Sequence, residues 1–138
     1  MKKTFNILML CIIAMIGLSM LCHAADSPSS IPSDLLRAMH QVESSGQLGA
    51  ILGDNGKALG PFQIHRSYWR DANVPGSYAQ CSDYGYSVRV MTAYMRRYAP
   101  SALRTGNKEV IARTHNGGPR GAKDNATLGY WARVSKRL

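Results

Sequence analysis

Glu43 and Asp54 are the two residues of this chain whose type and placement suit acid–base chemistry. Carboxylates are few: Asp26, Asp34, Glu43, Asp54, Asp71, Asp83, Glu109 and Asp124. Asp26 falls in a polar, proline-containing stretch. Asp34, Asp83 and Glu109 fall near expected helix starts, where the helix dipole welcomes an anion. Asp71 and Asp124 sit in polar surroundings. Glu43 is different, because it closes a helix, the electrostatically wrong end for an anion. The neighbouring Val42 and Met39 would also strip water from its charged form. Both effects favour the neutral acid, the state a proton donor in glycosidic cleavage must hold. Asp54 follows eleven residues later in an Asp54-Asn55-Gly56 turn that can swing it opposite Glu43. Two carboxylates facing across a cleft form the usual glycoside-cleaving pair. Plainer readings stand beside these: Glu43 as a surface residue at a frayed helix end, and Asp54 as a turn former.

Other chemistries find little support. The glycine-rich stretch 53–60 lacks the Lys-Ser/Thr ending of a phosphate-binding loop. Histidines 23, 40, 65 and 115 show no paired metal spacing, and no serine elbow is present. No metal and no cofactor is therefore expected. Tyr68, Trp69, Tyr94, Tyr98, Tyr130 and Trp131 are candidates to stack on sugar faces; one to three of them should line a groove, the others joining the core.

The elements that must position these residues can be read in outline. Lys2 and Lys3 precede the apolar run Ile7–Cys22, and Cys22-His23-Ala24 offers a cleavage site, so residues 1–24 read as an export signal. The apolar run falls short of the ~18 residues of a membrane helix; no membrane span is expected after cleavage, and the product should be periplasmic or secreted. Residues 25–32 read as a linker and 33–138 as one catalytic domain. Of 17 Lys and Arg, Lys2 and Lys3 leave with the signal, so 15 remain against 8 Asp and Glu, a net charge of +7. This favours an anionic partner, and export argues against nucleic acid. Cys11 and Cys22 leave too, and Cys81 alone cannot make an intrachain disulfide.

Pro32 and Ser33 open a helix whose stripe Leu35, Leu36, Met39 and Val42 leads to Glu43, and Ser44-Ser45-Gly46 stops it. Ala50-Ile51-Leu52 and the Asp-Asn-Gly turn predict a small hairpin. Pro61 to Trp69 reads as a helix. The longest helix spans Ser82 to Ala99, buried through Tyr84, Val88, Met91 and Met95 and ended by Pro100. Shorter helices are expected at Lys108–Thr114 and Thr127–Lys136. The class is α+β, mainly helical, with a small β-hairpin region after the helix that carries Glu43.

Several motifs resemble, in order, the invertebrate-type lysozyme (destabilase) family. They are Val42-Glu43-Ser44-Ser45-Gly46, Gly53-Asp54-Asn55-Gly56, Leu59-Gly60-Pro61-Phe62-Gln63-Ile64, Tyr68-Trp69-Arg70-Asp71, Tyr94-Met95-Arg96-Arg97-Tyr98, His115-Asn116-Gly117-Gly118-Pro119-Arg120-Gly121 and Gly129-Tyr130-Trp131. The resemblance implies a lysozyme-like fold and hydrolysis of the bond between N-acetylmuramic acid and N-acetylglucosamine in peptidoglycan glycan strands. It carries the catalytic acid onto Glu43 and the second carboxylate onto Asp54. Animal members are rich in disulfides; the lack of them here, with the bacterial-looking signal, suggests a bacterial member. Ala58 to Gln63 and His115 to Pro119 are also similar to motifs of lytic transglycosylases, which use one Glu and close an anhydro ring. In either scheme Gln63, His115 and Asn116 would hydrogen-bond the sugar. Gly117 and Gly118 would let backbone approach it, and Tyr94 and Tyr130 would line its groove. A third possibility, of another class, is a non-catalytic cationic protein that binds wall polymers or membranes. A monomer is expected.

Overall fold

The structure, a computed structural model, describes residues 30–138. The expected export signal and most of the expected linker lie outside the described residues.

The first helix, α1 (Ser33–Ser44), buries Leu35, Ala38 and Met39 and ends with Ser45 in the left-handed conformation. Ser33 does not cap it. Pro32 occupies the cap position without a side-chain bond, and Asp34 instead pairs with Lys108 and accepts from Leu35 N–H. Ile31, assigned by sequence to the linker, is buried in the core.

The chain then forms a three-stranded antiparallel sheet from β1 (Leu52–Gly53), β2 (Ala58–Leu59) and β3 (Ile64–His65). Leu52 faces Leu59, and Leu59 faces Ile64. The expected hairpin is present, its first strand two residues later than expected. The expected helix from Pro61 is not. Gln63 has φ +49°, which breaks any helix at that point, and helix α2 runs only over Arg66–Ala72. The burial of Phe62 and Ile64 between half-exposed Gln63 and His65 follows the two-residue period of a strand.

Helix α3 (Tyr84–Tyr98) is the longest among the described residues, capped by Asp83, which accepts from Tyr86 N–H at 2.6 Å. Its buried face is Tyr86, Val90, Met91, Tyr94 and Met95, so Tyr84 and Val88 stand at the edge of the stripe, half-buried. Pro100 does end α3, but it also occupies the first turn of α4 (Pro100–Thr105), where a missing N–H costs nothing. Helix α5 (Lys108–Gly117) is capped by Asn107, and α6 (Leu128–Ser135) closes the domain after short 3₁₀ turns. One core joins the helices to the sheet, with Leu35, Met39, Phe62, Ile64, Val90, Met91, Met95, Ile111 and Val134 almost fully buried. Cys81 is a free, buried thiol, pushed up to about 11 by burial, and so inert as a nucleophile.

Candidate active site

Glu43 reaches its place because α1 is stopped firmly one residue later. The Ser44 hydroxyl donates to the carbonyls of His40 and Gln47, and Gly46 N–H closes back on His40. The Glu43 side chain is only 16% exposed. Its Oε1 accepts the Tyr130 hydroxyl at 2.7 Å and lies 3.3 Å from His115 Nε2. Tyr130 comes from α6, and burial together with the Glu43 charge pushes its phenol well above the ordinary range. It therefore stays a donor at any ordinary working pH.

His115 is held from three sides. Nε2 is also 3.2 Å from the Phe62 carbonyl, and Nδ1 is 3.3 Å from the Tyr68 hydroxyl. One tautomer satisfies all three partners. Nε2–H is shared between Phe62 O and Glu43 Oε1, while Nδ1 accepts from Tyr68. Tyr68 in turn stacks on Tyr94, with ring centroids 3.6 Å apart. Burial raises the Tyr68 phenol well above its usual range, so it too remains a donor. The chain Tyr94–Tyr68–His115–Glu43–Tyr130 thus ties four helices to one carboxyl group.

Asp54 lies at the tip of the β1–β2 hairpin in the left-handed region (φ +46°), followed by Asn55 at φ +55°. Its Oδ2 is 3.6 Å from His65 Nε2, and its side chain is half exposed. Consecutive left-handed residues cost energy that Asp and Asn tolerate best. Gln63 is a third left-handed residue in the same neighbourhood. Its amide donates to the Ile51 and Gly60 carbonyls, tying the turn to the hairpin. A Cβ on Gly53 would meet Gln63 Oε1 at 1.7 Å, so this glycine is what lets the amide lie across the strand.

An open pocket of about 230 Å³ gathers these groups: Glu43, Asp54, Ala58, Gln63, His65, His115 and Asn116 line it. The structure thus brings five of the residues singled out by sequence to one place. Four others depart from expectation. Tyr94 is 3% exposed in the core stack, so it backs Tyr68 and does not face a sugar groove. Tyr130 is equally buried and reaches the site only through its hydroxyl on Glu43. Gly117 leaves room for packing, since a Cβ there would meet Thr127 Cγ2 at 2.5 Å. Gly118, at φ +74°, turns the chain out of α5. Neither glycine lines the pocket.

The sequence does not single out His65 as a site residue, and it offers Tyr68 only as a candidate to stack on sugar, not as the partner of His115. His65 could have been found from the alternation of β3, which turns it out of the core beside Gln63. The Tyr68 pairing could not, because His115 is 47 residues away.

A helical body, a small sheet and a pocket between them holding two carboxylates define a lysozyme-like glycosidase. The Destabilase family profile matches residues 33–137, and the chain belongs to that family, the invertebrate-type lysozymes. Among its relatives is a lysozyme of Magallana gigas, 38% identical over 112 residues, covering 79% of this chain and 82% of the relative. Another, from Ostrea edulis, is 35% identical over 130 residues and covers 91% and 92%. Invertebrate-type lysozyme 6 of Caenorhabditis elegans is 37% identical, covering 72% and 81%. The crystal structure of Meretrix lusoria lysozyme in complex with Aeromonas hydrophila PliI superposes with a TM-score of 0.67 at 36% identity, covering 77% of this chain and 89% of that one. The Tapes japonica lysozyme structure gives 0.64 at 34% over the same shares.

Proposed function

We propose that the chain cleaves the β-1,4 bond between N-acetylmuramic acid and N-acetylglucosamine in peptidoglycan, with Glu43 as proton donor and Asp54 as the second carboxylate. The observation that carries this reading is the Glu43 carboxyl group, largely buried, fixed by Tyr130 and His115, and open to the same pocket as Asp54. Glu43 gives its proton to the bridging oxygen as the bond breaks. Positive charge then develops at the sugar's anomeric carbon, and Asp54 stabilises or captures it. The freed Glu43 carboxylate takes a proton from water in the second step. His115 and Tyr130 act through Glu43: they hold its orientation, the kind of positioning that a shift of one ångström can undo. Asn116 and Gln63 line the pocket as polar contacts for the sugar.

Within this reading the +7 domain is an exported monomer drawn to anionic wall polymer, and neither nucleic acid nor a cofactor has a part. No helix among the described residues is long and apolar enough to cross a membrane. Mass spectrometry of muropeptides from digested peptidoglycan tests the reaction. Hydrolysis leaves reducing muramic ends. Anhydro-muramic ends alone would mean ring closure by Glu43 without Asp54, and the two-carboxylate account would fall.

A further inference from the structure

The pocket that holds Glu43 and Asp54 shares one lining residue, His65, with a second one of about 350 Å³. Gly56, Lys57, His65, Arg66, Ser67, Arg70 and Tyr78 line it, with three permanent cations and no carboxylate. Lys57 comes from the end of the hairpin turn, and Arg66 and Arg70 from successive turns of α2. Among the described residues none of these three side chains makes an ion pair or a side-chain hydrogen bond. The acids nearest in sequence have other partners: Asp54 faces His65, and Asp71 accepts from Tyr98.

The pocket is built, not merely charged. The Tyr78 hydroxyl donates to the Ile64 carbonyl at 2.7 Å and lies 3.2 Å from the Lys57 carbonyl, fastening the hairpin turn to β3. The Arg66 guanidinium stacks over the Tyr78 ring at 4.4 Å. Stacking fixes the plane of the guanidinium and leaves its N–H edge for a carboxylate, the group it matches in a two-pronged fashion. Like charges gathered around one hollow repel, and an anionic ligand relieves that repulsion.

We propose that this second pocket binds carboxylates of the peptide stem carried by the muramic sugar. The inference rests on the glycan reading of the first pocket. Each muramic residue bears a short acidic peptide that leaves the glycan sideways, so a cationic pocket beside the cleavage site meets it before any other anion of the polymer. The site then makes the protein selective for stem-bearing strands over bare glycan. A further hollow, lined by Trp69, Asn73, Val74 and Pro75, shares Arg70 with this pocket.

The test uses phosphate-free peptidoglycan with intact stems, and the same glycan stripped of stems by an amidase. The wild type is expected to show kcat/KM at least about ten-fold higher on intact strands. The triple variant Lys57→Gln, Arg66→Gln, Arg70→Gln should lose that advantage and stay within about two-fold of wild type on stripped strands. A free stem tetrapeptide should shift the backbone amide NMR signals of Lys57, Arg66 and Arg70 in the wild type and not in the variant. An equal loss on both substrates, no loss on either, or no peptide-induced shift overturns the proposal. A loss confined to walls that retain phosphate polymers overturns it in favour of a phosphate site. If the wild type cleaves neither substrate, the glycosidase reading fails, and the peptide shifts alone still decide this site.

Discussion

Replacing Tyr130 by Phe removes one oxygen and leaves the ring packing in place. That oxygen donates the shortest bond to Glu43, at 2.7 Å, from a side chain only 3% exposed. A hydrogen bond to a charged group contributes about 1.5–3 kcal/mol. Glu43 keeps His115 at 3.3 Å and retains some access to water, so the low end applies, a stability loss of about 1–2 kcal/mol. For a domain of this size that is a fall in Tm of roughly 5–10 °C. The effect on turnover is separate. With one of its two tethers gone, the carboxyl group samples rotamers that miss the bridging oxygen, and kcat should drop about ten-fold. KM should barely change, because the phenol ring is buried under Glu43 and touches no sugar. The assay is steady-state turnover of soluble glycan strands together with thermal unfolding. A lower Tm with unchanged kcat would refute the positioning role. A raised KM with unchanged kcat would return Tyr130 to the sugar-contact role expected from sequence.

Asp54→Asn keeps the left-handed turn, which Asn tolerates as well as Asp. Its Tm should stay within about 2 °C while kcat falls at least 100-fold, a loss in the range of removing an acid–base or charge-stabilising group; near-normal turnover would leave Glu43 acting alone. Gly53→Ala drives a methyl group into Gln63 Oε1, breaking the amide's bonds to Ile51 and Gly60. It should cost about 1–3 kcal/mol of stability, read by chemical denaturation, and a variant as stable as wild type would show that the Gln63 tie is dispensable. Alkaline pH should unfold the protein. Tyr68 and Tyr130 hold their protons well above the usual range, and Tyr94 is pushed up to about 12, in each case mainly by burial. Their folded values exceed the unfolded value near 10, so the stability they contribute is complete below pH 10 and is lost as pH rises through the folded values. Absorbance at 295 nm should show some of the seven tyrosines ionising only as the chain unfolds; titration of all seven near pH 10 in folded protein would contradict this.

The helices were legible where apolar spacing and stop signals agreed, as at α1, where the stripe through Met39 led directly to Glu43. The hairpin was legible from Asp54-Asn55-Gly56. One local signal misleads. Pro61 to Trp69 reads as one helix, whereas Gln63 takes a left-handed backbone that its type does not reveal, and the helix starts only at Arg66. Pro100 ends α3 as expected, and the same fixed φ also opens α4. The roles of Tyr94 and Tyr130 were not legible at all. Aromatic residues suit both a sugar groove and a core, and only the long-range pairing of Tyr94 with Tyr68, and of Tyr130 with Glu43, decides between them. His115 is the clearest case: its type pointed to the site, but its contacts with Phe62, Tyr68 and Glu43 each span more than forty residues of chain.

Turnover of peptidoglycan by Glu43→Gln tests the central claim most directly. The amide matches the carboxyl group in shape and still accepts the Tyr130 hydroxyl, so the variant should fold with an unchanged circular dichroism spectrum and bind glycan strands. It cannot donate the proton, and a loss of roughly 10²–10⁴ in kcat is expected from removing a general acid. A folded variant that kept more than about a tenth of wild-type turnover, well outside that range, would contradict the assignment of Glu43 as the proton donor.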